Sequence, residues 1–162
     1  MIAIIIILLI LSTIITVPTP ENTFPFHTDA ILEATGVIAT EEYHNYGWWQ
    51  DHTVYSKYTF ENPNLENNEY LEQMSEEDIE NFNRYIVVYE DWVNLISDDM
   101  NDRDLVTHYD FDKSVISTDD YYYIYDYSYV DPDSEFKPEP CSFDLYFYDT
   151  ETEILYYFHN NI

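Results

Sequence analysis

Basic residues are almost missing from this chain: five Lys and Arg stand against 33 Asp and Glu, a net charge of −28 over 162 residues. A surface that grips nucleic-acid phosphates needs Lys and Arg, so nucleic acid is excluded as a partner. Docking on an anionic lipid surface is disfavoured for the same reason. Cysteine occurs once, as Cys141, which excludes an intramolecular disulfide and leaves stability to the core. That thiol is expected as a small buried residue within a strand. Glycine occurs twice, so turns must come mainly from Asn, Asp and Pro. Catalytic signatures are missing too. There is no GxSxG elbow, P-loop, dinucleotide glycine pattern or HExxH spacing. Nothing singles out a carboxylate pair for glycoside chemistry among the 33 acids. The chain reads as non-enzymatic, with no cofactor required.

Aromatics are abundant instead. Eighteen Tyr, nine Phe and three Trp exclude the disordered class, which an acidic chain would otherwise suggest. Residues 2–17 are apolar except for Ser12, Thr13 and Thr16, and residues 1–20 carry no charged side chain. That run is short of the ~20 residues of a spanning helix and fits a signal-peptide core more closely. Residues 1–17 are therefore expected to be a signal peptide or an uncleaved membrane anchor. Residues 18–27, with Pro18, Pro20 and Pro25, form a tether. Residues 28–162 make one acidic, tyrosine-rich domain. The expected location is extracytoplasmic, secreted or anchored, with the N-terminal segment as the only membrane contact.

The clearest helical period runs from Met74 to Ser97. Ile79, Phe82, Ile86, Tyr89, Val93 and Ile96 recur at steps of three or four, and Tyr85 and Trp92 widen the stripe. Ser75 is placed as N-cap, with Asp78 three residues on in a capping-box spacing. Met74 can pack on Ile79 as a hydrophobic staple. Glu76, Glu77 and Asp78 suit the positive end of the helix dipole. Glu80 and Arg84 are spaced as an i,i+4 pair. Asp98 and Asp99 oppose the dipole at the far end.

A short helix capped by Thr28 or Asp29 precedes two strands, Val37–Tyr43 and His52–Phe60. Residues 61–73 read as a polar loop. After the helix, Leu105–Phe111 and Val115–Ile116 read as short strands, and Thr118–Asp120 as a turn. Tyr121–Tyr129 has period 2, with the odd-numbered tyrosines on one face and Tyr122, Ile124, Asp126 and Ser128 on the other. Cys141–Phe147 and Ile154–Phe158 flank a hairpin turn at Asp149–Thr152. Strands separated by one helix, without βα alternation, indicate α+β. The expected fold is a twisted antiparallel meander with one long amphipathic helix across one face.

Four features are candidates for function. Trp48 and Trp49, in HNYGWWQDH, could stack on a sugar or clamp a cation, although core packing is the plainer role. Tyr123 and Tyr125 belong to the tyrosine row, which is either a binding face or an amphipathic strand. Asp98, Asp99, Asp102 and Asp104 supply the hard oxygens that Ca²⁺ prefers, yet the EF-hand glycine and final glutamate are missing. Asp131, Asp133 and Glu135 repeat that pattern. In so acidic a chain, solvated loops account for both clusters. His44 and His52 flank a turn and could converge across a hairpin, but no third ligand matches them. The function expected is an exported non-enzymatic domain. An acidic binder that neutralises a basic enzyme, toxin or surface is the alternative, and a Ca²⁺ or carbohydrate module stands behind it. Composition leaves the oligomeric state open.

Overall fold

Local chemistry starts the main helix where the spacing predicts. In the computed structural model, which describes residues 37–46, 52–60, 68, 70–97, 104–127 and 139–161, helix α1 spans Glu76–Ser97. The Asp78 carboxylate accepts from the Ser75 amide at 2.9 Å and the Ser75 hydroxyl at 2.7 Å. The Asp78 amide in turn donates to Ser75 Oγ at 3.3 Å, so donors of the first turn are satisfied reciprocally. Arg84 lies 5.9 Å over the Tyr85 ring, and no Glu80–Arg84 ion pair forms.

Six strands make one antiparallel sheet. They are β1 (Val37–Tyr46), β2 (His52–Phe60), β3 (Glu72–Gln73), β4 (Tyr121–Asp126), β5 (Phe143–Asp149) and β6 (Ile154–Asn161). Their order is β1-β2-β6-β5-β4-β3. The described residues thus form an α+β unit, all within the compact body Thr35–Ile162. The simple meander is corrected. Strands β3 to β6 do follow one another, but the β1–β2 hairpin docks on β6, which becomes central. Alternation assigns side chains to faces and leaves the choice of neighbouring strand to packing.

One sheet face packs on α1. Phe82, Tyr85, Ile86, Tyr89 and Val93 meet Tyr55, Phe143, Leu145, Phe147 and Phe158 in a single cluster with Met74, Leu105 and Phe111. Phe111 is edge-on to Phe147, Tyr156 and Phe158, with centroids 4.9–5.5 Å apart, a favoured aromatic geometry. Tyr89 donates to the Val54 carbonyl at 2.7 Å, which carries α1 over β2.

The expected strand at Leu105–Phe111 is corrected. Residues Asp104–His108 form a short helix, α2. Leu105 and Tyr109 are four apart, a helical spacing, and the Tyr109 amide donates to the Leu105 carbonyl at 2.9 Å. The Val115–Ile116 strand is also corrected. Lys113–Val115 is a 3-10 turn whose Ser114 amide donates to Asp112 Oδ1 at 2.9 Å. Within the expected loop 61–73, Glu72–Gln73 pair with β4. Cys141 is exposed and lies before β5, not buried within it. The β5–β6 turn is held by Asp149, whose carboxylate accepts from the Glu151 and Thr152 amides and the Thr152 hydroxyl. Glu153 closes the turn at φ 58, the left-handed region. The export segment 1–17, the tether 18–27 and the short helix before β1 lie outside the described residues.

Candidate functional site

Polar chemistry concentrates on the sheet face opposite α1. Register places Tyr125, Asp144, His159, Val54 and His44 in one row across β4, β5, β6, β2 and β1. The next row holds Tyr123, Tyr146, Tyr157, Ser56 and Glu42. This face is buried too: Val54, Tyr58, Tyr146, Tyr148, Leu155 and Tyr157 are each at most 6% exposed.

Asp144 is the hub. Its carboxyl group meets His159 Nδ1 at 2.7 Å and accepts from the Tyr157 hydroxyl at 2.8 Å. It also accepts from the Tyr127 hydroxyl. Both Asp144 and His159 have side chains only 1% exposed. Burying a carboxyl group is tolerated when it is hydrogen-bonded, and two hydroxyls and an imidazole meet it here. Burial raises the Tyr127 hydroxyl's pKa, and the bond to Asp144 raises it further, so that phenol stays a donor. An Asp–His pair is the orienting half of an acid–base relay. Pairing Asp144 on β5 with His159 on β6 also favours this register, because a one-residue slip would move both to the apolar face.

The histidines continue from the hub towards β1. The His52 ring lies 5.3 Å from His159, tilted 59°. Its Nε2 is 3.2 Å from His44 Nδ1, with the two rings nearly parallel. The expected convergence across the hairpin is thus present. Burial, then His159 and His44, push the His52 pKa down to about 4, so its imidazole is neutral at neutral pH. His44 Nε2 lies 3.7 Å from Glu42 Oε2. As the side chains stand, no three His, Cys, Asp or Glu among the described residues converge as a metal-binding group.

The other candidate residues are scattered. Tyr123 packs edge-on to Tyr70 and against Tyr146. Tyr125 is 36% exposed and stacks edge-on to Tyr127 at 4.6 Å. Tyr123 therefore packs on the sheet's second face, while Tyr125 and Tyr127 lie more open. Asp104 begins α2 and pairs with His108 at 3.2 Å. Asp98, Asp99 and Asp102, together with Trp48, Trp49, Asp131, Asp133 and Glu135, lie outside the described residues. Asp144 and His159 escape sequence reasoning because their partners are 13 to 17 residues away, on other strands or beyond a strand's end. Only the strand pairing brings them together.

A second pattern explains the composition. Tyrosine hydroxyls do for carboxylates what cations do elsewhere. Tyr55 donates to Asp110 at 2.7 Å, Tyr85 to Asp126 at 2.8 Å and Tyr122 to Asp78 at 2.6 Å. Burial and then the Asp126 bond lift the Tyr85 pKa to about 12. Asp110 also takes Lys57 at 2.9 Å. Burial alone would raise the Asp110 pKa, but the bonds from Tyr55 and Lys57 bring it below the usual carboxylate value.

No known protein family matches this chain. Neither a curated protein nor a solved structure is similar to it.

Proposed function

We propose that this is an exported, non-enzymatic domain that captures a basic protein through its acidic surface. The observation that carries the reading is the state of the cations. Of the five, three are described, and each is already engaged. Lys57 bridges Glu41 and Asp110, Lys113 pairs with Glu90 at 2.6 Å, and Arg84 covers Tyr85. The net −28 already subtracts all five cations, so it remains as an excess of acids that no cation of the chain matches. A field of one sign steers an oppositely charged partner and suppresses wrong ones.

The outer face of α1 suits contact with such a partner. Glu76, Glu77, Glu80 and Asp91 are exposed there, with Val87 and Leu95 exposed among them. Acids would set orientation and the apolar pair would be covered on docking. Export is supported by the uncharged apolar run at residues 2–17.

Two measurements test this reading. The tagged full chain should fractionate outside the cytoplasm; a dominant cytosolic pool contradicts export. Against purified proteins of graded pI, it should bind a discrete basic protein with affinity that falls steeply with salt. Salt-independent binding, or equal binding to acidic controls, contradicts the capture reading.

A further inference from the structure

We infer that the outer edge of β1 docks an extended basic segment of the partner, which adds to the sheet as a further antiparallel or parallel strand. The inference rests on the basic-partner reading for the sign of the charge, and on the sheet alone for the place. A strand can pair through both of its edges, and β1, at one end of the strand order, pairs with β2 only. Among the described residues, the backbone bonding of residues 40–43 is confined to that pairing. Alternate N–H and C=O groups there point away from the sheet. The two edges of the sheet differ. At the far edge β3 is two residues long, and a short strand is a usual way of blunting an edge. β1 is ten residues long, and its one register shift lies at its start, between Val37 and Ala39. A long, regular edge is a template for another strand.

The edge is held in shape from both faces. On the α1 side Tyr43 stacks on His108, with centroids 4.2 Å apart, and Lys57 reaches Glu41 at 3.3 Å. On the other side the Tyr58 hydroxyl donates to Glu42 at 3.3 Å. A pre-set edge gives up little order when a strand is added. Charge then decides the occupant. Glu41 and Glu42 are adjacent, so their side chains leave opposite faces of the strand, and both are exposed. Two copies of β1 pairing antiparallel about this point would set these acids against each other, and like charges directly opposite are destabilising. The same two acids favour a strand with two consecutive Lys or Arg, one for each face. Main-chain bonds supply affinity, and the basic pair sets the register.

The test leaves the protein unaltered and varies the probe. The full chain is titrated with a peptide as long as β1, made of Thr and Val around a central Lys-Arg pair. Salt is held at ~0.15 M, where exposed charges are screened beyond ~8 Å. The peptide should bind, and amide hydrogen exchange should slow in residues 40–43. A peptide with the same side chains, N-methylated at both central residues so that both of its edges are blocked, should bind at least ~tenfold more weakly, the scale of one or two lost hydrogen bonds. A peptide with a central Asp-Glu pair should bind more weakly as well. Failure of the Lys-Arg peptide to bind, full affinity of the N-methylated peptide, or protection of α1 in place of β1 overturns the edge site and leaves capture by charge standing. Equal protection of β1 by the acidic peptide contradicts the basic-partner reading and this inference together. A dimer of the parent in sedimentation, with residues 40–43 protected in proportion to its concentration, assigns the edge to a second copy and overturns the inference.

Discussion

The two faces of the sheet bury their side chains by different means. Towards α1 the contacts are aromatic and aliphatic, and carboxylates sit at the rim, where Asp78, Asp110 and Asp126 receive hydroxyls from Tyr122, Tyr55 and Tyr85. On the other face a carboxyl group is in the middle, wholly buried, with Tyr127, Tyr157 and His159 around it. The difference teaches how a chain with five cations keeps 33 acids. Rim carboxylates combine a tyrosine hydroxyl with other donors, Ser75 at Asp78 and Lys57 at Asp110. A central one needs several partners at once, and tyrosine supplies two of them without adding charge.

Substitutions sharpen this contrast. The largest effect belongs to the apolar face. Phe147→Ala removes a ring that meets Phe82, Phe111 and Tyr156, and should cost ~3–5 kcal/mol by urea unfolding. A cost below ~1 kcal/mol would mean this face does not carry the core. Next comes the hub. Asp144→Ala strands two hydroxyls and an imidazole, and should cost about 3 kcal/mol, the low end for breaking a buried pair. A neutral outcome would break the comparison. At the rim, Ser75→Ala removes only the cap of α1 and should cost ~1 kcal/mol. Glu153→Gly relieves a left-handed backbone and should stabilise the protein by under about 1 kcal/mol, read as a rise in Tm. A further effect is read in pH. His52 titrates at its ordinary 6.5 when unfolded and at about 4 when folded. Between those values the unfolded chain binds the extra proton, so stability is full above pH 6.5 and is lost as pH falls towards 4. His52→Gln should flatten that part of the Tm–pH curve, and an unchanged slope would remove His52 as its source.

Much of the fold was legible in the sequence because its signals are local. The stripe from Ile79 to Val93 and the Ser75–Asp78 cap specify α1 within a few turns. Alternation in Tyr121–Tyr125 and Ile154–Phe158 assigns faces correctly, since Tyr122, Ile124, Tyr156 and Phe158 all reach the α1 cluster. Leu105–Phe111 misled because two periods overlap there: Tyr109 to Phe111 is a strand step, while Leu105 to Tyr109 is a helical one. Burial of Leu105 under α1 decides for the helix. Strand order was not legible, and the site depends on it. His44 and His52 are close in sequence, so their meeting could be foreseen. Asp144 joins them only because β6, the last strand, inserts between β2 and β5. The long-range pairing that creates the hub leaves no local trace.

The central claim is that tyrosine hydroxyls and His159 together hold the buried Asp144, and a double-mutant cycle tests it most directly. Asp144→Ala, Tyr157→Phe and the double variant are unfolded in urea beside the parent. The account predicts a coupling of ~1–3 kcal/mol between the two positions, as for groups that share a buried hydrogen bond. Additive effects, within ~0.5 kcal/mol, would contradict it.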